Sequence, residues 1–189
     1  SMESNGKSVD RNGDFINYQT GVVTWGDVGT NGQHSFHQLL HQGTQFIPCD
    51  FIINLKSKKE YQDHQNKLIC NAIAQSEALM KGRTHEELKD SPNFLKNYKT
   101  FDGNKPSNTL LVKELSPYNL GALLALYEHK YFVQGVIWNV FSFDQWGVEL
   151  GKELSKSKLD MLNNEQTHEN SYASTSELLL KSQQSLKNI

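Results

Sequence analysis

The chain of 189 residues contains only two arginines, Arg11 and Arg83, so bidentate arginine clamps on phosphate groups are scarce. Its two cysteines, Cys49 and Cys70, both lie in apolar stretches. This favours buried, reduced thiols in a cytoplasmic protein over a disulfide between them. The longest apolar run, residues 120–127, is too short to cross a membrane. A formal net charge of −2 argues against nucleic-acid or acidic-membrane partners.

What the chain does contain is an alternation of strand and helix patterns. Strands are predicted over residues 49–55 and 108–113, and residues 22–25 form a shorter candidate. Helices are predicted over residues 35–42, 61–81, 116–139, 144–162 and 174–187, with a brief one from residue 84. Residues 1–35, 91–107 and 163–172 are predicted to be mostly loop or polar linker. The alternation predicts an α/β layer architecture. Because three strands are few for a self-sufficient sheet, we expect part of a larger domain.

Local signals set several of these boundaries. Gly82 follows a long apolar helical stripe and is the expected stop of that helix. Ser116-Pro117 is a helix start, with serine as N-cap and proline at the first helical position. The helix that follows is apolar nearly all round, so we expect little of it to be open to water. Thr84 and Glu87 have capping-box spacing, and the 49–55 strand is expected to be buried.

Three histidines fall at helical spacing near the start of the chain. His34, His37 and His41 are spaced i, i+3 and i+7, which resembles a row of metal ligands. We favour a half-buried helix face with surface imidazoles, because no cysteine lies in the row. The glycine-rich run 29–32 is not a P-loop, since no Lys-Ser or Lys-Thr follows it. We interpret it as a tight turn that aims Gln33 and His34.

Three further runs match a family pattern at fixed spacings. They are Gly135-Val-Ile-Trp138 with Phe143-Asp-Gln-Trp-Gly-Val-Glu149 and Lys152, then Met2-Glu-Ser-Asn-Gly-Lys7, and Gly29-Thr-Asn-Gly-Gln-His34. Together they resemble the phosphoglucose isomerase family. Departures from the pattern occur at Asp27-Val28, at Lys105 and at Ser176-Glu177, and none of them touches the candidate catalytic residues named below.

The resemblance implies a fold and a division of the chain. The expected fold is a three-layer sugar-isomerase (SIS)-type α/β domain with a central, mostly parallel sheet, truncated here, plus C-terminal helices. Residues 1–162 would be the C-terminal portion of that domain, and residues 163–189 a polar linker and C-terminal helix. The serine and threonine donors that hold the substrate phosphate, and an arginine that stabilises the enediol, would lie upstream of this chain.

The resemblance also implies an activity, the interconversion of glucose 6-phosphate and fructose 6-phosphate in glycolysis and gluconeogenesis. Alone, Glu3 and Lys152 fit a solvated loop carboxylate and a solvated helix charge. The family pattern instead makes Glu3 the base that moves a proton between C2 and C1, a task that suits a carboxylate. It assigns ring opening to His34, because imidazole titrates near neutral pH. Lys152 would assist ring opening and place positive charge beside the phosphorylated sugar.

The same resemblance implies partners. It predicts a phosphosugar substrate, no metal or organic cofactor, and a homodimer in which His34 reaches the active site of the neighbouring subunit. The alternative is a non-catalytic phosphosugar-binding regulatory module of the same fold. A regulator has no need of Glu3, His34 and Lys152 together, so their joint presence favours the enzyme.

Overall fold

The computed structural model describes residues 1–164 together with Leu178, Ser182, Gln183, Ser185 and Leu186. The fold is mixed α/β with a parallel sheet. The helices are α1 (Met2–Asn5), α2 (Gly29–Gly32), α3 (His37–Gln42), α4 (Gln62–Lys81), α5 (Asn93–Lys99), α6 (Pro117–Ile137) and α7 (Trp146–Asn164), and a 3₁₀ turn spans Lys59–Tyr61. The strands are β1 (Cys49–Lys56) and β2 (Ser107–Glu114).

The chain divides into two compact units. A terminal unit comprises Ser1–Val22 and Gly135–Ile189, and a central unit comprises Val23–Gln134. The expected boundary between residues 162 and 163 stays a prediction. The predicted linker 163–172 and helix 174–187 lie largely outside the described residues, although α7 continues through Asn164.

The two main strand predictions are confirmed, because β1 and β2 pair in parallel from Cys49↔Ser107 to Lys56↔Glu114. The third candidate, residues 22–25, is wrong. No strand forms there, and the sheet in the described part of the chain has the order β1-β2. Trp25 instead packs edge-on against Phe36, with ring centroids 4.3 Å apart. A run of β-prone residues forms a strand only when its backbone pairs with a neighbouring strand, and this run does not join the sheet.

The central unit is organised by α4, which packs against β1. Ile53 and Leu79 are buried in its core. The helix ends at Gly82, as predicted, with φ of +68° and its N–H bonded to Ala78 O at 2.9 Å. A Cβ at Gly82 would overlap Phe101 O. Glycine is therefore required both by the left-handed backbone and by this close approach.

Two expectations about the segment after α4 are wrong. The Thr84 N–H does bond Glu87 Oε2 at 2.7 Å, but only turns follow. Residues 83 and 101 pair in an isolated bridge. The region 91–107, predicted as loop, contains α5. By contrast, the start of α6 is confirmed, since Ser116 Oγ accepts the Asn119 N–H at 3.2 Å.

The expected burial of the apolar elements is wrong in part. In β1 only Ile53 is buried. On α6, Leu124 is 60% and Phe132 is 51% exposed. Neither the sheet nor α6 is enclosed by other described residues, so apolar patterns that would suit a fully covered element face solvent here.

The cysteine predictions are confirmed in one respect and wrong in another. Both cysteines are free, but Cys70 is exposed rather than buried. Burial, and the nearby charge of Asp50, raise the pKa of the Cys49 thiol, which disfavours its reactive thiolate form. Among the described helices, none is both long and apolar enough to cross a membrane.

A polar cluster ties α6 to the amino ends of both strands within the central unit. Asp50 accepts hydrogen bonds from Asn108 Nδ2 (2.8 Å), Tyr127 OH (3.0 Å) and Lys130 Nζ (2.9 Å). Burial alone would raise the pKa of Asp50, but these three donors together hold it below its ordinary value of 3.8. Burial, followed by the bond to Asp50, raises the pKa of Tyr127 to about 12.

Asp50→Asn is expected to lower the free energy of unfolding by about 1–2 kcal/mol at neutral pH, because charge-assisted hydrogen bonds are lost. A carboxyl whose folded pKa is depressed contributes stability above its unfolded pKa and loses that contribution as pH falls through the folded value. The difference between wild type and variant should therefore shrink below about pH 4. Urea unfolding between pH 3 and pH 7 measures it. Asp63→Asn, which alters an exposed pair with Lys67, is the control, and an equal effect of the two substitutions would contradict the prediction.

Candidate active site

Glu3 lies on the single helical turn α1, in the terminal unit. Its side chain is exposed, whereas Asn5 on the same turn is fully buried. Ser142 Oγ lies 2.5 Å from Asn5 Oδ1 and donates a hydrogen bond to it. The turn is thus fixed through Asn5, and Glu3 is left free to meet a ligand.

Gly135, the first residue of the motif, allows this contact. A Cβ at Gly135 would overlap Ser142 Oγ and lie 3.1 Å from Asn5 Oδ1. Because these two atoms bond each other, neither can swing away without breaking the hydrogen bond. Glycine is therefore required by close approach rather than by backbone conformation.

Gly135→Ala is expected to lower the free energy of unfolding by about 1–3 kcal/mol, the usual cost of overpacking a closed site. Gly121→Ala is the matched control on the same helix, because a Cβ there meets no atom within 4 Å. Alanine favours helix by up to about 1 kcal/mol at such a position, so the control should be neutral or stabilising. Denaturant midpoints of the two variants measure the contrast, and equal midpoints would refute the close-approach argument.

The last turn of α6 closes with a Schellman-type cap. Asn139 has φ of +54°, its N–H bonds Val136 O at 3.1 Å, and the Val140 N–H bonds Gly135 O at 2.9 Å. Val140 is fully buried. This pattern satisfies carbonyls that a helix end otherwise leaves unpaired.

The segment 1–22 donates hydrogen bonds to carbonyls in this cap and directly after it. Tyr18 OH donates to Trp138 O at 2.5 Å. The Arg11 N–H donates to Asn139 O at 2.8 Å, and Arg11 Nε donates to Val140 O at 3.2 Å. Arg11 therefore bonds the backbone at the end of α6. The segment that carries Glu3 is anchored to the segment that leads into α7.

Phe143 has a left-handed backbone, with φ of +73°. Such a conformation costs a bulky residue on the order of 1–3 kcal/mol and persists only where neighbouring contacts hold it. Here Ser142 bonds Asn5, and Asp144 pairs with Lys7 at 3.0 Å. The strain lies inside the motif, directly before the first turn of α7.

Lys152 lies on α7, in the same unit as Glu3, and its side chain is exposed. It lies on one exposed face of that helix together with Gly147, Val148, Gly151, Ser155, Lys156 and Leu159. Lys156, one helical turn beyond Lys152, adds a second positive charge to this face.

His34 lies in the central unit, directly after α2, and its imidazole is exposed. The run 29–32, predicted as a tight turn, is a single helical turn. The side chain of Gln33 donates a hydrogen bond to Asn71 Oδ1 on α4. The turn therefore fixes the neighbour of His34 and leaves the imidazole available.

His37 and His41 dock α3 on α4. His37 Nδ1 lies 3.2 Å and His41 Nε2 lies 3.1 Å from the same oxygen, Gln75 Oε1. One amide group, that of Gln75, thus meets both imidazole rings. Their structural assignment is supported by these bonds. Within the part of the chain that the structure describes, no group of three His, Cys, Asp or Glu side chains is placed to hold a metal ion.

The anchoring residues are the part of the site that the sequence did not reveal. Asn71 and Gln75 are spaced i, i+4 on α4, and they meet Gln33, His37 and His41, which follow the same spacing. The sequence signal that could have found Asn71 and Gln75 is a polar stripe that runs beside the apolar stripe of α4. Asn5 gave none, because its partner Ser142 is 137 residues away.

Comparison with known proteins gives one consistent result. The model of the family described as phosphoglucose isomerase matches residues 1–179. A glucose-6-phosphate isomerase from Christiangramia forsetii is 52% identical over 188 residues, covering 94% of this chain and 34% of the relative. One from Francisella tularensis subsp. tularensis is 55% identical over 192 residues, covering 95% and 36%.

The fold agrees with a solved structure as well. The crystal structure of a glucose-6-phosphate isomerase from Chlamydia trachomatis superposes with a TM-score of 0.75 and 41% sequence identity. The match covers 98% of this chain and 34% of that one. The chain thus spans about a third of the length of the relatives it matches.

Proposed function

Since the chain belongs to the phosphoglucose isomerase family, we propose that it forms part of an aldose–ketose isomerase that interconverts glucose 6-phosphate and fructose 6-phosphate. The observation that carries the proposal is the placement of Glu3, His34 and Lys152. Each is exposed on a short element or helix, and the elements of Glu3 and His34 are held by hydrogen bonds to the neighbours Asn5 and Gln33. Exposed functional groups on fixed elements are typical of catalytic sites.

The chemistry assigns one task to each group. His34 and Lys152 open the sugar ring by moving a proton between the O1 hydroxyl and the ring oxygen. The Glu3 carboxylate then takes the proton from C2 while O1 gains a proton, which gives a cis-enediol. The carboxyl group returns its proton to C1 while the O2 hydroxyl loses its proton and O2 becomes the carbonyl oxygen. No electrons leave the sugar, so the reaction requires no redox cofactor.

We also propose the three-layer sugar-isomerase architecture for the complete protein. Its support is the parallel pair β1-β2 together with apolar side chains open on the sheet, of which Ile52 is 50% and Leu111 is 61% exposed. Parallel sheets are normally covered on both faces. The two free cysteines favour the cytoplasm as the compartment of the complete protein.

A coupled assay on the complete enzyme tests the activity. Fructose 6-phosphate is supplied, and the glucose 6-phosphate formed is oxidised by a dehydrogenase that reduces NADP. Turnover at a rate typical of enzymes, about 1–1000 per second, supports the isomerase. Tight binding of the sugar phosphate without turnover would favour the regulatory module instead.

We propose further that the enzyme is a homodimer in which His34 serves the neighbouring active site. Inactive Glu3→Gln and His34→Leu variants should then rescue each other, because a mixed dimer gathers one site with both groups. Lys152→Ala mixed with Glu3→Gln should show no rescue if Lys152 and Glu3 act from one chain. Isomerase activity after subunit exchange, with exchange confirmed by mass, measures this. Rescue in both mixtures would contradict the placement of Lys152, and rescue in neither would contradict the shared site.

A further inference from the structure

Lys7 has an unusually complete set of contacts for a lysine near the chain surface. Its Nζ lies 2.7 Å from Ser4 O, 2.8 Å from Asp144 O and 3.0 Å from Asp144 Oδ1. Glu3 O is a fourth, longer contact at 3.4 Å. The side chain is only 16% exposed. The three N–H donors of the ammonium group are used by three main-chain carbonyls, those of Ser4, Asp144 and Glu3, and the Asp144 carboxylate adds an ion pair.

The two shorter hydrogen bonds of Lys7 join two different elements. Ser4 O belongs to α1, the turn that carries Glu3, and Asp144 O lies two residues before α7, the helix that carries Lys152. Charge-assisted hydrogen bonds of this kind are about twice as strong as neutral ones. The ammonium therefore joins the backbone of the Glu3 turn to the backbone that begins α7.

Lys7 is itself held on both sides of its Cα. Its N–H bonds Asn5 O at 2.9 Å and lies 3.3 Å from Thr20 Oγ1. The Thr20 hydroxyl in turn donates to Lys7 O. The backbone of Lys7 is thus held by hydrogen bonds on both its N–H and its carbonyl.

We propose that Lys7 is a positioning residue that sets the Glu3 carboxylate for proton transfer. This inference rests on the proposed isomerase function. Lys7 acts through the backbone of Ser4 and Asp144 and does not contact substrate. When the Lys7 ammonium is removed, the Glu3 turn keeps its Asn5 hydrogen bond but loses its fixed position relative to the start of α7.

The test uses the complete enzyme with Lys7→Met, Lys7→Arg and Asp144→Asn. Three quantities are measured: kcat and KM of isomerisation, exchange of the C2 proton with solvent deuterium, and ring opening followed by interconversion of the sugar anomers. Lys67→Met is the matched control, because Lys67 pairs only with exposed Asp63 on α4 among the contacts described.

Lys7→Met is expected to lower kcat and C2-proton exchange about 100-fold, the effect of misplacing a catalytic group by about 1 Å. KM and ring opening should stay within about threefold of wild type, since they do not depend on the Glu3 carboxylate. Lys7→Arg should recover part of the loss because it keeps the charge. Asp144→Asn should be milder than Lys7→Met because the main-chain acceptors remain.

Three outcomes would overturn the inference. The first is wild-type proton exchange in Lys7→Met. The second is a parallel fall of exchange, ring opening and folded fraction, which indicates a purely structural role. The third concerns the case in which Lys7→Met does not fold. The inference is then overturned if Lys7→Arg has the same ratio of C2-proton exchange to ring opening as wild type. An unsubstituted complete enzyme without isomerase activity would instead refute the proposed function.

Discussion

Glu3→Gln in the complete enzyme is expected to lower kcat by about 100- to 10,000-fold with KM little changed. Glutamine is nearly isosteric with glutamate, so substrate contacts survive, but an amide cannot accept the C2 proton. The Glu3 side chain is exposed and makes no hydrogen bond or ion pair with the described residues. Its replacement should therefore leave the fold intact.

The measurement is exchange of the C2 proton with solvent, recorded beside steady-state isomerisation. Glu128→Gln, an exposed glutamate on α6, is the matched control and should behave as wild type. Near-normal proton exchange in Glu3→Gln would show that another group is the base.

The second large effect is expected for the 189-residue chain by itself, which should have little or no isomerase activity. The family resemblance places the donors that hold the phosphate, and the arginine that stabilises the enediol, outside these residues. Each lost electrostatic contact costs on the order of 100- to 1000-fold in rate. The chain contains only two arginines, and one of them, Arg11, bonds the carbonyls of Asn139 and Val140.

The coupled assay on the purified chain, set against the complete enzyme at equal molarity, measures this. Circular dichroism serves as its control, since the chain must retain helix content for the comparison to be valid. Turnover by the isolated chain at the rate of the complete enzyme would show that the site is complete within these residues.

Elements that depend on local signals could be predicted from the sequence. The stop of α4 at Gly82 and the start of α6 at Ser116 each follow from one or two neighbouring residues. Elements that depend on a partner elsewhere in the chain could not be predicted from it. Residues 22–25 have strand-forming side chains but do not join the sheet, and the Thr84 backbone finds its Glu87 partner although no helix follows.

The candidate site shows the same division. Glu3, His34 and Lys152 could be named from motif spacing, because the spacing itself carries the family pattern. The residues that hold the Glu3 turn could not be predicted, since Lys7 and Asp144 are 137 residues apart. Exposure was also unpredictable: the sequence indicates that α6 is apolar nearly all round, but not whether anything covers it.

The parallel pairing of β1 with β2 has a consequence for the order in which the chain folds. Asp50 and its cross-strand partner Asn108 are 58 residues apart, and the length-dependent part of closing such a loop costs about 3.6 kcal/mol of chain entropy. The 20-residue helix α4 closes only local contacts as it forms, and it packs on β1. Docking α4 first shortens the chain that remains to be closed. We therefore expect the β1-β2 ladder of the central unit to form after α4.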